Sequence, residues 1–141
     1  MVGVVVPPDL EAFLVGYLRA VLGVEVDNKV PGGWDGTARL VTVRDDGGPK
    51  TGLTTFDRSV GVTVYAGSRQ DPSDASAIAR RAFAALTSPT IAWEKGSPIA
   101  AVEDDGCLGP YQTTDDHDSA AYYMTVEYSV VGETASMDQV L

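Results

Sequence analysis

The sequence predicts an α+β fold in which two helices cover one antiparallel or mixed sheet of four to six strands. Three observations carry this. Two segments repeat their apolar residues at helical spacing, several others alternate them at every second position, and strands follow strands without the βαβ alternation of a doubly wound sheet. The predicted order is α-β-β-β-α-β-β, within a single domain spanning 1–141.

In "DLEAFLVGYLRAVLG", Leu10, Phe13, Leu14, Tyr17, Leu18, Val21 and Leu22 fall on one helical face. Asp9 and Glu11 suit the N-terminal end of the dipole, and Gly23 can take the left-handed conformation that ends a helix. Residues Val24 to Val30 read as a weak strand, followed by Val41 and Val43 alternating with Leu40, Thr42 and Arg44. A turn at Asp46-Gly47-Gly48-Pro49 opens a hairpin loop that runs from Gly47 to Thr55. Val60, Val62, Val64 and Ala66 then alternate with Ser59, Gly61, Thr63 and Tyr65.

The second helix lies in "QDPSDASAIARRAFAALTSP". Asp71 is placed to cap it, and Ala75, Ile78, Ala79, Ala82, Phe83 and Leu86 form its apolar face. Its alanines allow close approach to a sheet. A short strand is expected around Ile99 to Glu103, and the strongest lies in "AAYYMTVEYSVVG", where Tyr122, Met124, Val126, Tyr128 and Val130 share a face. The ends, 1–6 and 132–141, have little to fold against and read as flexible arms.

The chain has 141 residues, 44% of them apolar, enough for one domain with a real core. Its apolar N-terminal run stops at Pro7 without a basic flank. That is too short for a signal peptide or a membrane span, so synthesis in the cytoplasm and no membrane association are expected. Cys107 is alone, which excludes an intrachain disulfide and a cysteine-based zinc cluster. The net charge of −10 is unevenly spread: all ten Lys and Arg precede residue 96, and nine acids follow it. Such an acidic block repels phosphates, so tight nucleic-acid binding is not expected.

The only histidine, His117, sits among Asp115, Asp116 and Asp118 in "TTDDHDSAA". The candidate readings are a metal site, an acid/base pair, or a hydrated acidic loop feeding the last strand. A calcium loop starting at Asp116 fails because Ala120 and Ala121 replace a ligand and the required glycine. No phosphate-binding glycine motif and no prepared nucleophile is present, so no catalytic residue, cofactor or metal is assigned. Trp34, flanked by glycines in "PGGWDG", either caps the core edge or anchors a partner. Leu53 offers one apolar contact on the hairpin loop. Arg80 and Arg81 are consecutive on the second helix, so at least one faces solvent or another subunit. Tyr65 and Tyr123, opposite the valines, either form an exposed patch or lie under a helix.

Taken in order, "LEAFLVGYLRAVLG", "KVPGGW", "LVTVRDDGG", "TTFDRSVGVTVYAGSRQDPSDASAIARRAFAAL" and "GPYQTTDDHDSAAYYMTVEYSVVG" resemble the tail terminator proteins of long-tailed bacteriophages. The resemblance spans roughly residues 5 to 132. The sequence departs from it at Ala120-Ala121-Tyr122, where relatives commonly carry a basic residue before the aromatic. The resemblance implies a homohexameric ring that caps the tail tube, stops its polymerisation and presents a surface to the head-tail connector or stopper protein. It implies a virion location in the tail neck, assembly in the host cytoplasm, and passage of genomic DNA without tight binding. The acidic loop Asp115, Asp116 and Asp118 would then face the channel, and Trp34, Leu53, Arg80 and Arg81 are the candidate partner or subunit contacts.

Three alternatives stay open: another phage neck or minor tail component, such as a stopper or completion protein; a monomeric binding module; and a small metal-dependent enzyme. Reconstitution with tube subunits separates the first from a terminator, a native mass measurement the second, and chelator sensitivity the third.

Overall fold

A computed structural model of the chain describes residues 3–114 and 118–136. The chain is α+β, with two helices and a mixed sheet of six strands plus a small second sheet. Strand β1 (Gly3–Val6) precedes helix α1 (Leu10–Leu22); β2 (Glu25–Asp27), β3 (Leu40–Asp45) and β4 (Thr55–Ser68) lead to helix α2 (Ser73–Thr87). A short 3-10 helix, Pro89–Trp93, is followed by β5 (Ile99–Val102), a 3-10 turn at Asp104–Gly106, β6 (Leu108–Thr113), β7 (Ser119–Val131) and β8 (Glu133–Ser136). The predicted order therefore holds only in outline, because β1, β6 and β8 were not anticipated.

The main sheet runs β2-β3-β4-β7-β5, with β6 also on β7, and only β2–β3 is parallel. β5 and β6 are two halves of one broken edge: Ile99 to Val102 pair with Val130 to Tyr128, and Leu108 to Thr113 pair with Thr125 to Ala121. The 3-10 turn at Asp104–Gly106 fills the break, opposite Glu127. β6 is hidden in "LGPYQT" because Gly-Pro reads as a turn. On an edge strand, proline's missing N–H costs no ladder bond.

Within the terminal segments expected to lack packing, the described residues 3–6 and 133–136 pair with each other. β1 and β8 pair antiparallel, Gly3 with Ser136 through Val6 with Glu133. The Gly47–Thr55 segment also carries more ladder than a loop. Asp57 N donates to Pro49 O (2.9 Å), Ser59 N donates to Gly47 O (3.0 Å), and Lys50 bridges Phe56, which leaves Thr51–Thr54 as the turn.

Both helices cover one sheet face. Leu10, Leu14, Leu18 and Leu22 of α1 and Ala75, Ile78, Ala79, Ala82 and Leu86 of α2 join Val41, Val43, Val60, Val62, Val64, Met124, Val126, Tyr128 and Val130 in a single core. The buried stripe of α1 is narrower than its apolar content suggests: Phe13 and Tyr17 are half-buried and Val21 is 43% exposed. Asp9 caps α1 by accepting from Ala12 N, and Gly23 ends it at φ 66°. Glu11, in the first turn, ties the helix to β3 by accepting from Asp45 N at 2.7 Å. At α2, Asp71 accepts from both the amide and the hydroxyl of Ser73, fixing the first turn from just outside the helix.

Candidate functional site

The opposite sheet face, carrying Ser59, Gly61, Thr63 and Tyr65 of β4 and Tyr123, Thr125, Glu127 and Ser129 of β7, lies under neither helix. A loop covers part of it, where Trp34 packs edge-on against Tyr65 with ring centroids 5.0 Å apart, and Tyr111, the β6 ladder partner of Tyr123, meets that ring at 5.8 Å. Leu40, paired with Tyr65, is buried here, apart from the main core. Trp34 is thus half-buried, and its Nε1 donates to Ala38 O at 3.1 Å. In this position it covers the edge of the sheet face, the cap geometry that "PGGWDG" allowed.

Elsewhere on this face, Asp57 of β4, Glu103 at the end of β5 and Glu127 of β7 converge, with one carboxylate oxygen of each within 4.8 Å of the others. Strand alternation aims Asp57 and Glu127 to the same side, because Ser59 opposes Glu127 in the β4–β7 ladder and Asp57 lies two residues away. Glu103 arrives from the broken edge, where its N–H donates to Glu127 O at 2.8 Å. Gly106 is needed beside it, since a Cβ there would run into the Glu127 carboxylate. Cys107 closes the turn, with its thiol donating to Glu103 O at 3.5 Å.

Among the described residues, no Lys or Arg forms an ion pair with these carboxylates. Arg58, next in sequence to Asp57, faces the other way, with its Nη1 donating to the backbone oxygens of Gly48 and Asp57. Burial pushes the Glu103 carboxyl up to about 7, and its hydrogen bonds with Glu127 and then Asp57 reinforce the shift. Such a cluster holds a proton at neutral pH, and its oxygens are the donor type that suits a hard divalent cation. Burial also raises the Cys107 thiol, so it is not an activated nucleophile.

The sequence reading did not find this cluster. The three acids lie far apart in sequence, at 57, 103 and 127, and only the register brings them together. Of the candidates drawn from "TTDDHDSAA", Asp115, Asp116 and His117 lie outside the described residues, and Asp118 is exposed, 3.9 Å from Arg69 Nε. Leu53 is 87% exposed at the hairpin tip, and Arg80 and Arg81 are both exposed on α2 without an ion pair among the described residues. No helix of the described residues is long and apolar enough to cross a membrane. A scan against known families finds no family model that matches this chain, and no curated protein matches its sequence.

Proposed function

We propose that this chain is a structural virion subunit that forms a ring at the end of a phage tail tube, stops tube polymerisation and joins the tail to the head connector. The observation that carries the reading is the succession of segments that resembles tail terminators, from "LEAFLVGYLRAVLG" to "AAYYMTVEYSVVG". Support comes from a surface suited to assembly: exposed Leu53 on a projecting turn, and Arg80 and Arg81 exposed on α2 without an ion pair among the described residues. The acids that follow residue 96 take a role in the same reading. Six copies of a chain with net charge −10 bring roughly sixty negative charges to one ring. Those facing the channel, with Asp115, Asp116 and Asp118 as the candidates, repel DNA phosphates and let the genome pass without sticking.

The test is to polymerise tube subunits with and without the chain, and to build particles with its variants. The chain should fix tube length, and Asp116→Asn and His117→Ala should each leave capping intact, because a summed field tolerates one lost charge. Reversal of Asp115, Asp116 and Asp118 to lysine should keep termination but slow DNA release. Tubes of equal length with and without the chain would overturn the reading; normal DNA release from the triple reversal would place that loop away from the channel.

A further inference from the structure

We infer that the Thr51–Thr54 turn is a knob that docks, in a second copy of this chain, into the groove between the Pro89–Trp93 helix and β5. The inference rests on the ring reading for its place in an assembly. Leu53 on the turn and Trp93 beside the groove are each 87% exposed, the most exposed large apolar side chains among the described residues. Isolated exposed apolar side chains are ordinary on protein surfaces, so what counts here is their surroundings.

The groove, of ≈ 320 Å³, is bounded by Pro89, Ala92, Trp93, Ala101 and Val102, with Asp104 as its one charged wall among the described residues. The knob carries the complement: Leu53 is apolar, and Lys50 at the base of the same turn is an exposed cation. Neither Lys50 nor Asp104 forms an ion pair among the described residues. Charge narrows the partner further. Residues 1–95 hold every Lys and Arg beside eleven acids, and nine acids without a Lys or Arg follow, so an ion pair onto the acidic part of one copy draws its cation from the earlier part of the other.

Knob and groove are built from different residues, so each subunit can give one contact and receive another, the heterologous pairing from which rings are made. A single turn in this groove buries far less than the roughly 1,000 Å² of a lasting interface. One contact is therefore weak, and closure of the ring or assembly on the tube strengthens it by multiplying the contacts.

Cross-linking between two differently marked copies tests this. On a Cys107→Ser background, Thr54→Cys marks the knob, Ala101→Cys the groove, and Ala84→Cys, exposed on α2, a control surface. A short bis-maleimide should join the knob variant to the groove variant well above the control. Lys50→Glu in the knob variant should cut that yield about fivefold, the size of a rim ion pair, and adding Asp104→Lys to the groove variant should restore it. Yields no higher than the control, or no restoration by the charge exchange, would overturn the proposed contact. Tube assays separate this result from the functional reading: specific linking with unrestrained tube growth removes the terminator role alone, and normal termination without specific linking removes the contact alone.

Discussion

Tyr17 and Tyr128, one on α1 and one on β7, donate hydrogen bonds to consecutive carbonyl oxygens at the end of α2. Tyr17 Oη reaches Ala85 O at 2.9 Å and Tyr128 Oη reaches Leu86 O at 2.5 Å. The last carbonyls of a helix have no partner within it, and α2 ends with an extended Ser88 and no basic residue in its last turn. Thr87 Oγ1 also donates to Phe83 O at 2.7 Å, and the two tyrosines satisfy Ala85 O and Leu86 O from other elements. The end of α2 is thereby tied to both the sheet and α1. Burial raises both phenols, helped at Tyr17 by the nearby negative charge of Glu94, so each remains a donor across the neutral range.

Tyr128→Phe should cost about 1 to 3 kcal/mol, because it strands a buried carbonyl. Tyr17→Phe should cost less, about 0.5 to 1.5 kcal/mol, since water can replace a partly exposed donor. Urea unfolding of both variants checks the order. Equal losses, or none at Tyr128, would remove the capping role.

On α1, Leu14→Ala and Leu18→Ala should each lose roughly 2 to 5 kcal/mol, as both are fully buried. Val21→Ala should stay within about 0.5 kcal/mol despite its helical spacing, because that side chain is 43% exposed. Thermal or urea midpoints distinguish the two cases, and a large loss at Val21 would contradict the observed helix face.

These contrasts show which features the sequence carries. Helices and long strands write themselves as local periodicity, so α1, α2, β4 and β7 were legible from spacing alone. Val21 fits the same period as its neighbours, but the leucines at every fourth position already fill the contact with the sheet, and spacing cannot show that. β6 lies behind Gly109-Pro110, and the β1–β8 pair joins residues from opposite ends of the chain. The carboxylates of Asp57, Glu103 and Glu127 depend on the register of three strand segments, which no local pattern encodes. The aspartates of "TTDDHDSAA" drew attention because they are neighbours in sequence, whereas Asp57, Glu103 and Glu127 become neighbours only in the fold.

The carboxylate cluster makes stability depend on pH with a definite sign. Glu103 is raised from 4.5 to about 7 in the folded chain, so between these values the folded state binds a proton that the unfolded state has released. This contribution is fully present below about 4.5 and is lost as the pH rises through about 7. Glu103→Gln keeps the hydrogen-bonding shape without the charge. It should flatten this part of the stability curve and make the variant the more stable protein above pH 7. Chemical denaturation across this range is the measurement, and parallel curves for variant and wild type would show that Glu103 does not carry the shifted proton.

The two tryptophans should behave in opposite ways. Trp93 is 87% exposed, whereas Trp34 is held by the Ala38 carbonyl at 3.1 Å and by the edge of Tyr65 at 5.0 Å. Trp34→Ala therefore removes an aromatic pair and part of the cover over the helix-free sheet face, and should cost about 1 to 3 kcal/mol. Trp93→Ala should fall within about 0.5 kcal/mol, because its ring is in water in the free subunit. Fluorescence gives an independent reading: in the Trp93→Phe variant the remaining emission from Trp34 should resist quenching by acrylamide, while Trp34→Phe leaves an indole that is quenched readily. A neutral quencher is required, since a chain of net charge −10 would repel iodide and mimic burial. Equal quenching in the two variants would mean that Trp34 stands free of Tyr65 in solution, and the cap assigned to it would be lost.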